Sequence, residues 1–179
     1  MIMVQDTREQ LELDFSGIEA VEKVEKMTLS YGDYNAIVHG RPVPLFFERK
    51  GISDLFGTMT SGYERYKREM ERAKVANVKL VLIIEGSYSD VWNGIEHSKF
   101  SGESMLKKLA MLYVRYDHEY IFCESRRVMA RRITDVYSAI ERNWSKKNPT
   151  DISTDGVSTA VRQVQAGDVT SFKGNVETV

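Results

Sequence analysis

The pattern of hydrophobic and polar positions predicts a chain in which strands come first and helices alternate with strands afterwards. Short apolar runs bounded by turn-forming residues are typical of strands. One of them, at residues 79–86, is nearly all apolar, which indicates a central strand covered on both faces. The predicted strands are residues 1–4, 27–31, 34–38, 43–47, 79–86 and 119–124. We expect the first four to form an antiparallel meander.

Apolar residues that recur at a spacing of three and four predict the helices. The predicted helices are residues 51–59, 62–76, 102–116 and 126–144, and residues 88–95 are predicted to form a short helix followed by a loop. Ser61 and Glu64 fit a capping box, which predicts the start of the second helix. Residues 10–27 are ambiguous, because residues 18–24 suit either a short helix or irregular structure. The order of elements predicts an α/β fold with a mixed central sheet and helices on both faces.

The periodic pattern stops after Trp144. Residues 146–179 are rich in Ser, Thr, Asp, Gly and Val without a helical stripe, which is typical of a tail or weak appendage. We therefore expect one domain over residues 1–145 and a tail over residues 146–179. No apolar run approaches the length of a membrane span, so we expect no membrane association.

Composition changes this picture little. Of the 179 residues, 42% are hydrophobic and 28% are charged, which is ordinary for a globular protein. The single cysteine, Cys123, cannot form an internal disulfide. We therefore interpret the protein as intracellular.

The distribution of charge is more informative than its sum. The net charge of −1 does not by itself indicate a nucleic-acid-binding protein, since phosphate binding relies on Lys and Arg. Basic residues are, however, concentrated in residues 65–74 and 126–132. These segments would allow a DNA-facing patch on a nearly neutral protein. Two solvated helix faces explain the same pattern equally well.

Candidate chemistry lies where an apolar strand ends in charged residues. Phe46 and Phe47 are followed by Glu48, Arg49 and Lys50. Because residues two apart on a strand share a face, we expect Glu48 and Lys50 to point the same way. Arg49 is expected to point away from them.

Asp33 supplies a second carboxylate upstream, between Gly32 and an aromatic strand. Phosphodiester hydrolysis uses a hard cation, and Asp33 and Glu48 could bind it through oxygen from adjacent strands. Lys50 could then contact the attacking water or the scissile phosphate. Taken alone, these residues also fit a turn and a solvated strand end.

Several short motifs in one order resemble the XPF-type structure-specific nuclease family. The resemblance covers about the first 145 residues and implies a restriction-endonuclease-like fold of the PD-(D/E)xK type. The matching residues, in chain order, are Asp6-Thr7-Arg8-Glu9, Gly32-Asp33, Glu48-Arg49-Lys50, Asp54, Arg65 and Glu69.

The resemblance implies catalytic roles for Asp33, Glu48 and Lys50. The family also uses the positions of Asp6 and Glu9 as active-site acids. A Mg²⁺ or Mn²⁺ ion is accordingly expected on Asp33, Glu48 and Asp6.

Three further residues are candidates for binding substrate. Arg49 is one of them, although an ion pair that fixes the strand end is the favoured interpretation. Asp54 suits either the first turn of a helix, where the helix dipole favours a carboxylate, or a functional role. Arg65 is expected to contact a phosphate, although it could also pair with Glu69 four residues later.

The implied function is that of a metal-dependent DNA endonuclease, which hydrolyses phosphodiester bonds within a DNA strand. The expected substrates are flap, fork or junction DNA in repair, recombination or replication, with 5′-phosphate and 3′-hydroxyl products. One alternative is a non-catalytic DNA-binding scaffold that pairs with an active nuclease. Another is a restriction-like or junction-resolving nuclease on the same fold. The presence of Asp33, Glu48 and Lys50 favours an enzyme.

The resemblance also implies assembly, since nuclease domains of this family pair through C-terminal helices. We expect a homodimer through one helical layer, whereas a monomer in which both helices pack on the sheet fits equally well. The tandem helix-hairpin-helix module that many family members carry is not visible. The apolar stripes of the two helices include Leu112, Tyr116, Val136, Ile140 and Trp144.

Overall fold

The computed structural model describes residues 1–147, which form seven strands and five helices. None of these helices is long and apolar enough to cross a membrane. In chain order the elements are β1 (Ile2–Asp6), β2 (Lys23–Met27), β3 (Tyr34–Val38), β4 (Arg41–Pro42), β5 (Leu45–Gly51), α1 (Ile52–Met59), α2 (Tyr63–Val75), β6 (Lys79–Glu85), α3 (Tyr88–Asn93), α4 (Gly102–Tyr116), β7 (Tyr120–Cys123) and α5 (Arg126–Lys147).

The strands form one mixed sheet, which confirms the predicted fold class. Their order is β2-β1-β3-β5-β6-β7, with β4 paired to β3. β3 is antiparallel to both β1 and β5, whereas β5, β6 and β7 are parallel. The carboxyl ends of β5, β6 and β7 therefore meet at one edge of the sheet, where α/β proteins usually bind ligands.

Helices cover both faces of the sheet, as predicted. Along β6, Leu80, Leu82 and Ile84 contribute to one core and Val81 and Ile83 to another. The first core is completed by α1, α2, α3 and α4, and the second by α5. We call these sides the four-helix face and the α5 face. A strand with apolar residues on both sides is what two covered faces require.

The start of the sheet differs from the predicted antiparallel meander. The pattern predicts a second strand at residues 27–31, whereas β2 spans Lys23–Met27 and is parallel to β1. This prediction is wrong because β2 lies at the edge of the sheet. Four of its five residues are exposed or half-buried, so the strand carries little apolar signal.

The second helix begins without the predicted capping box. Gly62 is the N-cap of α2 and provides no side-chain hydrogen bond. Ser61 instead turns back and donates to the Gly57 carbonyl at 3.4 Å. The short turn between α1 and α2 thus directs the hydroxyl to the end of the earlier helix. A capping box does occur at α3, between Ser87 and Asp90.

The predicted domain boundary at residue 145 falls within α5, which continues to Lys147. The rest of the predicted tail, residues 148–179, lies outside the described residues. The division into a domain and a tail therefore stays a prediction.

The two helices predicted to form one dimerisation layer lie on opposite faces of the sheet. Leu112 and Tyr116 of α4 pack into the core of the four-helix face. Val136, Ile140 and Trp144 of α5 pack against the core of the α5 face. A single layer that contains both stripes is therefore wrong, because each stripe covers its own side of the sheet.

A buried hydrogen bond ties α2 to the chain that leads into β7. The Tyr66 hydroxyl and His118 Nε2 lie 2.7 Å apart, and both residues are buried. Burial lowers the pKa of His118 to about 4. The imidazole is therefore neutral near neutral pH, since burial disfavours its charged form.

We expect the contribution of His118 to the stability of the protein to fall in mild acid. Its pKa in the unfolded chain is about 6.5, so at lower pH the unfolded chain takes up a proton that the fold excludes. The contribution to the free energy of unfolding is complete above about pH 6.5 and is lost as pH falls toward the folded value. Between about pH 7 and about pH 5 the loss should be on the order of 2 kcal/mol.

Urea unfolding at these two pH values measures the effect. The difference in free energy of unfolding between the parent and His118→Gln should change by this amount between the two pH values, whereas the difference between the parent and the control His97→Asn, at an exposed histidine, should stay constant. The same pH dependence in the parent and in His118→Gln would contradict the explanation.

Candidate active site

Acidic residues from neighbouring strands gather at one edge of the sheet. Val4 and Phe46 lie in the core of the four-helix face. Asp6 and Glu48, each two residues further along their strands, point to the same face. Asp33 directly precedes β3, the strand that lies between β1 and β5. The topology thus brings together three acids that are far apart in the sequence.

Backbone contacts with β5 fix Asp33 in place. Its N–H donates to the Phe47 carbonyl at 2.7 Å, and its Oδ2 accepts from the Arg49 main-chain N–H at 2.8 Å. The carboxylate therefore continues the strand pairing beyond Tyr34 and Phe47. Gly32 permits this approach, because its φ is +55° and a Cβ would lie 2.7 Å from the Phe47 carbonyl oxygen.

Glu48 and Lys50 share a face, as predicted, and Lys50 Nζ donates to Glu48 Oε1. Their side chains are only 11% and 17% exposed, respectively. Burial, followed by the charge of Glu48, raises the pKa of Asp33 to about 8. Burial also raises the pKa of Glu48, and Lys50 opposes that effect. The two carboxylates therefore favour an added positive charge.

This donor set fits a hard divalent cation. Mg²⁺ in proteins is usually bound by one or two carboxylates together with water and substrate phosphate. Asp33 and Glu48 provide such a pair. Within residues 1–147, no cluster of three or more His, Cys, Asp or Glu side chains is arranged to hold a metal. The remaining ligands would thus come from water, substrate or the main chain.

Arg49 points to the α5 face, and the ion pair predicted at the end of β5 is confirmed. Its guanidinium lies 3.3 Å from Glu9 and 2.9 Å from Glu85. Arg126 also contacts Glu85, at 3.3 Å. The Arg49 side chain is only 5% exposed. These contacts explain Arg49 and Glu9 as structural partners, and roles for them in substrate binding or catalysis stay predictions.

The Asp6 carboxylate lies at the same edge of the sheet, but it is bonded to protein donors and is not free to bind a metal beside Asp33 and Glu48. The Arg8 guanidinium donates to each Asp6 oxygen at 2.8 Å. The main-chain N–H groups of Arg8 and Leu29 also donate to this carboxylate, each at 2.7 Å. Burial acts to raise the pKa of Asp6, but these hydrogen bonds outweigh it and lower the pKa. Both oxygens are thus occupied by protein donors.

Helix α2 brings a further carboxylate to the pair. Glu69 Oε1 accepts from the Gly32 N–H at 3.4 Å, and its charge contributes to raising the pKa of Glu48, after burial. Arg65, one turn earlier on α2, is exposed, and Asp54 is exposed in the first turn of α1. The predicted substrate contacts of Arg65 and Asp54 stay predictions.

The two basic segments do not form one patch on a single face. Residues 65–74 lie in α2 on the four-helix face, together with the Asp33–Glu48 pair. Residues 126–132 lie at the start of α5, on the opposite face. Only the first segment therefore shares a face with the candidate site.

Two charged residues at this edge, Glu85 and Arg8, are not among the functional residues predicted from the sequence. Glu85 ends β6 and pairs in register with Gly51 of β5. An acid at the end of an apolar strand, beside another strand that ends in charges, is a signal that the sequence does contain. Arg8 carries a weaker signal, because its contact with Asp6 depends on how the chain turns after β1.

Comparison with known proteins adds a family and a fold. A model of the ERCC4 domain family matches residues 5–136. No curated protein sequence matches the chain. The structure of XPF from Aeropyrum pernix superposes with a TM-score of 0.57 at 19% identity, covering 93% of this chain and 81% of that one. XPF from Aeropyrum pernix in complex with DNA gives a TM-score of 0.52 at 19% identity, covering 82% and 66%. At such identity the structural matches establish a shared fold.

Gly32→Ala should destabilise the protein through both backbone strain and overlap with the Phe47 carbonyl. Left-handed backbone costs a residue with a side chain about 1–2 kcal/mol, and the overlap adds to this cost. Gly17→Ala is the matched control, because Gly17 also has a positive φ, +72°, but nothing lies within 4 Å of its Cβ position. Urea unfolding of both variants measures the difference. Equal losses in the two variants would mean that the close approach to Phe47 is unimportant.

Proposed function

Because the chain belongs to the ERCC4 domain family, we propose that it is a divalent-metal-dependent DNA endonuclease. The observation that carries this proposal is the buried Asp33–Glu48 pair with Lys50 in contact with Glu48. Perturbed acids grouped with a lysine at a sheet edge are typical of catalytic sites. The similar structure of XPF from Aeropyrum pernix in complex with DNA supports DNA as the partner.

In this proposal Asp33 and Glu48 hold Mg²⁺ or Mn²⁺. When bound, the ion would supply Lewis acidity at the phosphate and make a bound water more acidic. Asp33 is well suited to hold a ligand in place, since its carboxylate is anchored to the Arg49 N–H. Glu48 lies on the neighbouring strand, whose backbone the same contact fixes.

We propose that Lys50 stabilises the negative charge that develops during hydrolysis. Its ammonium lies among buried acids, and their negative charges keep its pKa raised although burial opposes this. It therefore stays protonated and can donate to a phosphate oxygen or orient the attacking water. Water adds to phosphorus, the bond to the 3′ oxygen breaks, and that oxygen takes up a proton. The products are a 5′-phosphate and a 3′-hydroxyl.

We further propose a preference for flap, fork or junction DNA, and hence a role in repair, recombination or replication. A cleavage assay on flap, fork, four-way junction, duplex and single-stranded DNA with Mg²⁺ or Mn²⁺ tests this directly. The branched substrates should be cleaved faster than the duplex. Equal cleavage of all substrates would contradict the preference, and no cleavage of any would favour a non-catalytic scaffold.

Within the same assay, Asp33→Asn and Glu48→Gln should abolish cleavage, because each removes a proposed metal ligand. Lys50→Ala should slow the reaction about a hundred- to a thousandfold, which is typical for loss of a group that stabilises transition-state charge. The control Glu12→Gln, at an exposed acid, should cleave like the parent. Cleavage by purified Glu48→Gln at the parent rate would remove Glu48 from the mechanism.

We also propose a homodimer, with a surface that differs from the predicted helical layer. Strand β7 ends the sheet, and aromatic residues of β7 and of the neighbouring helices lie along that edge. Tyr113 of α4 is 55% exposed and, with Glu119 and Tyr120, lines an open cavity of about 450 Å³. Tyr88 is 56% exposed and packs edge-on against Phe122. An edge strand with exposed aromatic residues suits a second copy placed by a two-fold axis.

Light scattering over a concentration series tests the dimer. The parent should have twice the monomer mass, and Tyr113→Glu should shift the equilibrium to monomer without unfolding the chain. Val75→Glu, at an exposed apolar residue on α2, is the control and should leave the mass unchanged. A monomeric parent at micromolar and higher concentrations would contradict the dimer.

A further inference from the structure

The register between β3 and the strands that follow it changes between the hairpin tip and the candidate site. Near the tip, Ile37 pairs with Pro42, whereas nearer the site Tyr34 pairs with Phe47. Tyr34 lies three residues before Ile37, but Phe47 lies five residues after Pro42. The second strand therefore contains two extra residues, as a β-bulge does. We call this segment, residues 43–46, the bulge.

The bulge decides which part of β5 lies opposite Asp33. Because a strand rises about 3.4 Å per residue, two extra residues move Glu48 roughly 7 Å along β5 relative to Asp33. The shift is even, so Glu48 stays on the four-helix face, whereas an odd shift would turn it to the other face. We propose that Asn35 and Tyr137 are positioning residues that hold the bulge and, through it, the register of these two acids. This inference rests on the proposed function in that the two acids form the metal site.

Asn35 holds the bulge from the four-helix face. Tyr34 and Ala36 lie in the core of the α5 face, so Asn35, between them, points the other way. Its Nδ2 donates to the Val43 carbonyl at 2.8 Å and to the Leu45 carbonyl at 2.7 Å. Asn35 is fully buried, and among the described residues its Oδ1 has no hydrogen-bond partner. Since an unsatisfied amide oxygen is costly in a core, the two N–H donors explain why an asparagine lies here.

Tyr137 of α5 holds the bulge from the opposite face. Its hydroxyl donates to the Leu45 carbonyl at 3.0 Å, and the Tyr34 carbonyl lies 3.2 Å from the same hydroxyl oxygen. The hydroxyl thus bridges the bulge and β3. The Tyr137 ring is fully buried and packs edge-on against Phe47, with 5.5 Å between ring centroids. Helix α5 therefore contacts the strand that carries Glu48 from the side of the sheet that faces away from the site.

Other contacts of the bulge favour the same register. Pro44 lacks an N–H group, and prolines inside sheets are confined to edges and bulges for that reason. Its carbonyl accepts from the Lys79 N–H at 2.9 Å. The Val43 N–H donates to the Ala36 carbonyl, also at 2.9 Å. A slip of β5 along β3 would break these hydrogen bonds together with those of the two side chains, so the register depends on the bulge.

Amide hydrogen exchange of the full chain, measured by NMR without metal or DNA, tests the proposal. Tyr137→Phe removes the hydroxyl and keeps the ring. Because one hydrogen bond that holds the bulge is lost, local opening of the register becomes easier. The N–H groups of Asp33 and Arg49, which join β3 to β5 beside the site, should lose protection about three- to tenfold.

Thr134→Val is the matched control. Thr134 is also buried on α5, and its hydroxyl donates to the Ala130 carbonyl at 2.9 Å. This variant likewise loses one buried hydroxyl group, but at a distance from the bulge, so the protection of Asp33 and Arg49 should stay at the parent value. Equal loss of protection in the two variants, or no loss in Tyr137→Phe, would overturn the proposal.

Asn35→Leu tests the contact from the four-helix face. It removes two donors at similar side-chain volume, so the protection of Asp33 and Arg49 should fall further than in Tyr137→Phe. A smaller fall than in Tyr137→Phe would contradict the role of Asn35. Thermal unfolding checks that each variant is folded, and Tyr137→Phe carries the test if Asn35→Leu is not.

Calorimetric titration with Mn²⁺ in the absence of DNA separates positioning of the metal site from general stabilisation. Tyr137→Phe should raise the dissociation constant for Mn²⁺ about three- to tenfold, because the same lost hydrogen bond frees the two acids to move apart. Thr134→Val should bind Mn²⁺ like the parent. Parent-like affinity in Tyr137→Phe would overturn the positioning role. A parent that neither binds Mn²⁺ nor cleaves DNA would contradict the proposed function alone, since the exchange measurement requires neither.

Discussion

The hydrogen bond from the Arg49 main-chain N–H to the Asp33 carboxylate is the contact on which the site depends. It joins an acid at the start of β3 to the backbone of β5, between Glu48 and Lys50. The spacing between the Asp33 and Glu48 carboxylates is therefore set by the sheet and not by a loop. The hydrogen bonds of the sheet resist distortion. Sites built on rigid elements hold their geometry better than sites built on loops.

The arrangement around this contact places each basic residue beside acids. Lys50 contacts Glu48, Arg49 contacts Glu9 and Glu85, and Arg8 contacts Asp6. Asp33 differs from Asp6, whose pKa is lowered, because burial and the charge of Glu48 raise the pKa of Asp33 to about 8. Burying like charges costs stability unless a cation offsets them. At this edge of the sheet a cation is therefore favoured beside Asp33, whereas basic side chains already offset the charges of the other acids.

The sequence was sufficient for the elements with a strong periodic pattern. The prediction for α4 agrees at both ends, and β6 agrees to within a residue, since buried elements carry dense apolar patterns. The edge strand β2 was missed because its residues face solvent. Alternation along β5 was enough to separate Glu48 and Lys50 from Arg49.

Long-range partners could not be predicted in the same way. The contacts of Arg49 with Glu85, and of Asp6 with Leu29, depend on which strands and turns become neighbours. No local spacing encodes that information. The residue types of the Asp33–Glu48 pair followed from chemistry and from the family resemblance, whereas the contacts of Asp6 required the tertiary structure.

The close approach of Gly32 to Phe47 also makes the position of the site independent of the far end of the hairpin, which connects Asp33 to Glu48. The Asp33 N–H and the Phe47 carbonyl close the base of that hairpin at 2.7 Å, and the far end turns at His39 and Gly40, both with positive φ. Because this contact closes the base of the hairpin, residues added at the tip should carry only a small loop-closure cost. Insertions at the tip would lengthen the hairpin without moving the acids. The tip is therefore a position where residues can be added to the chain without a change in the Asp33–Glu48 pair.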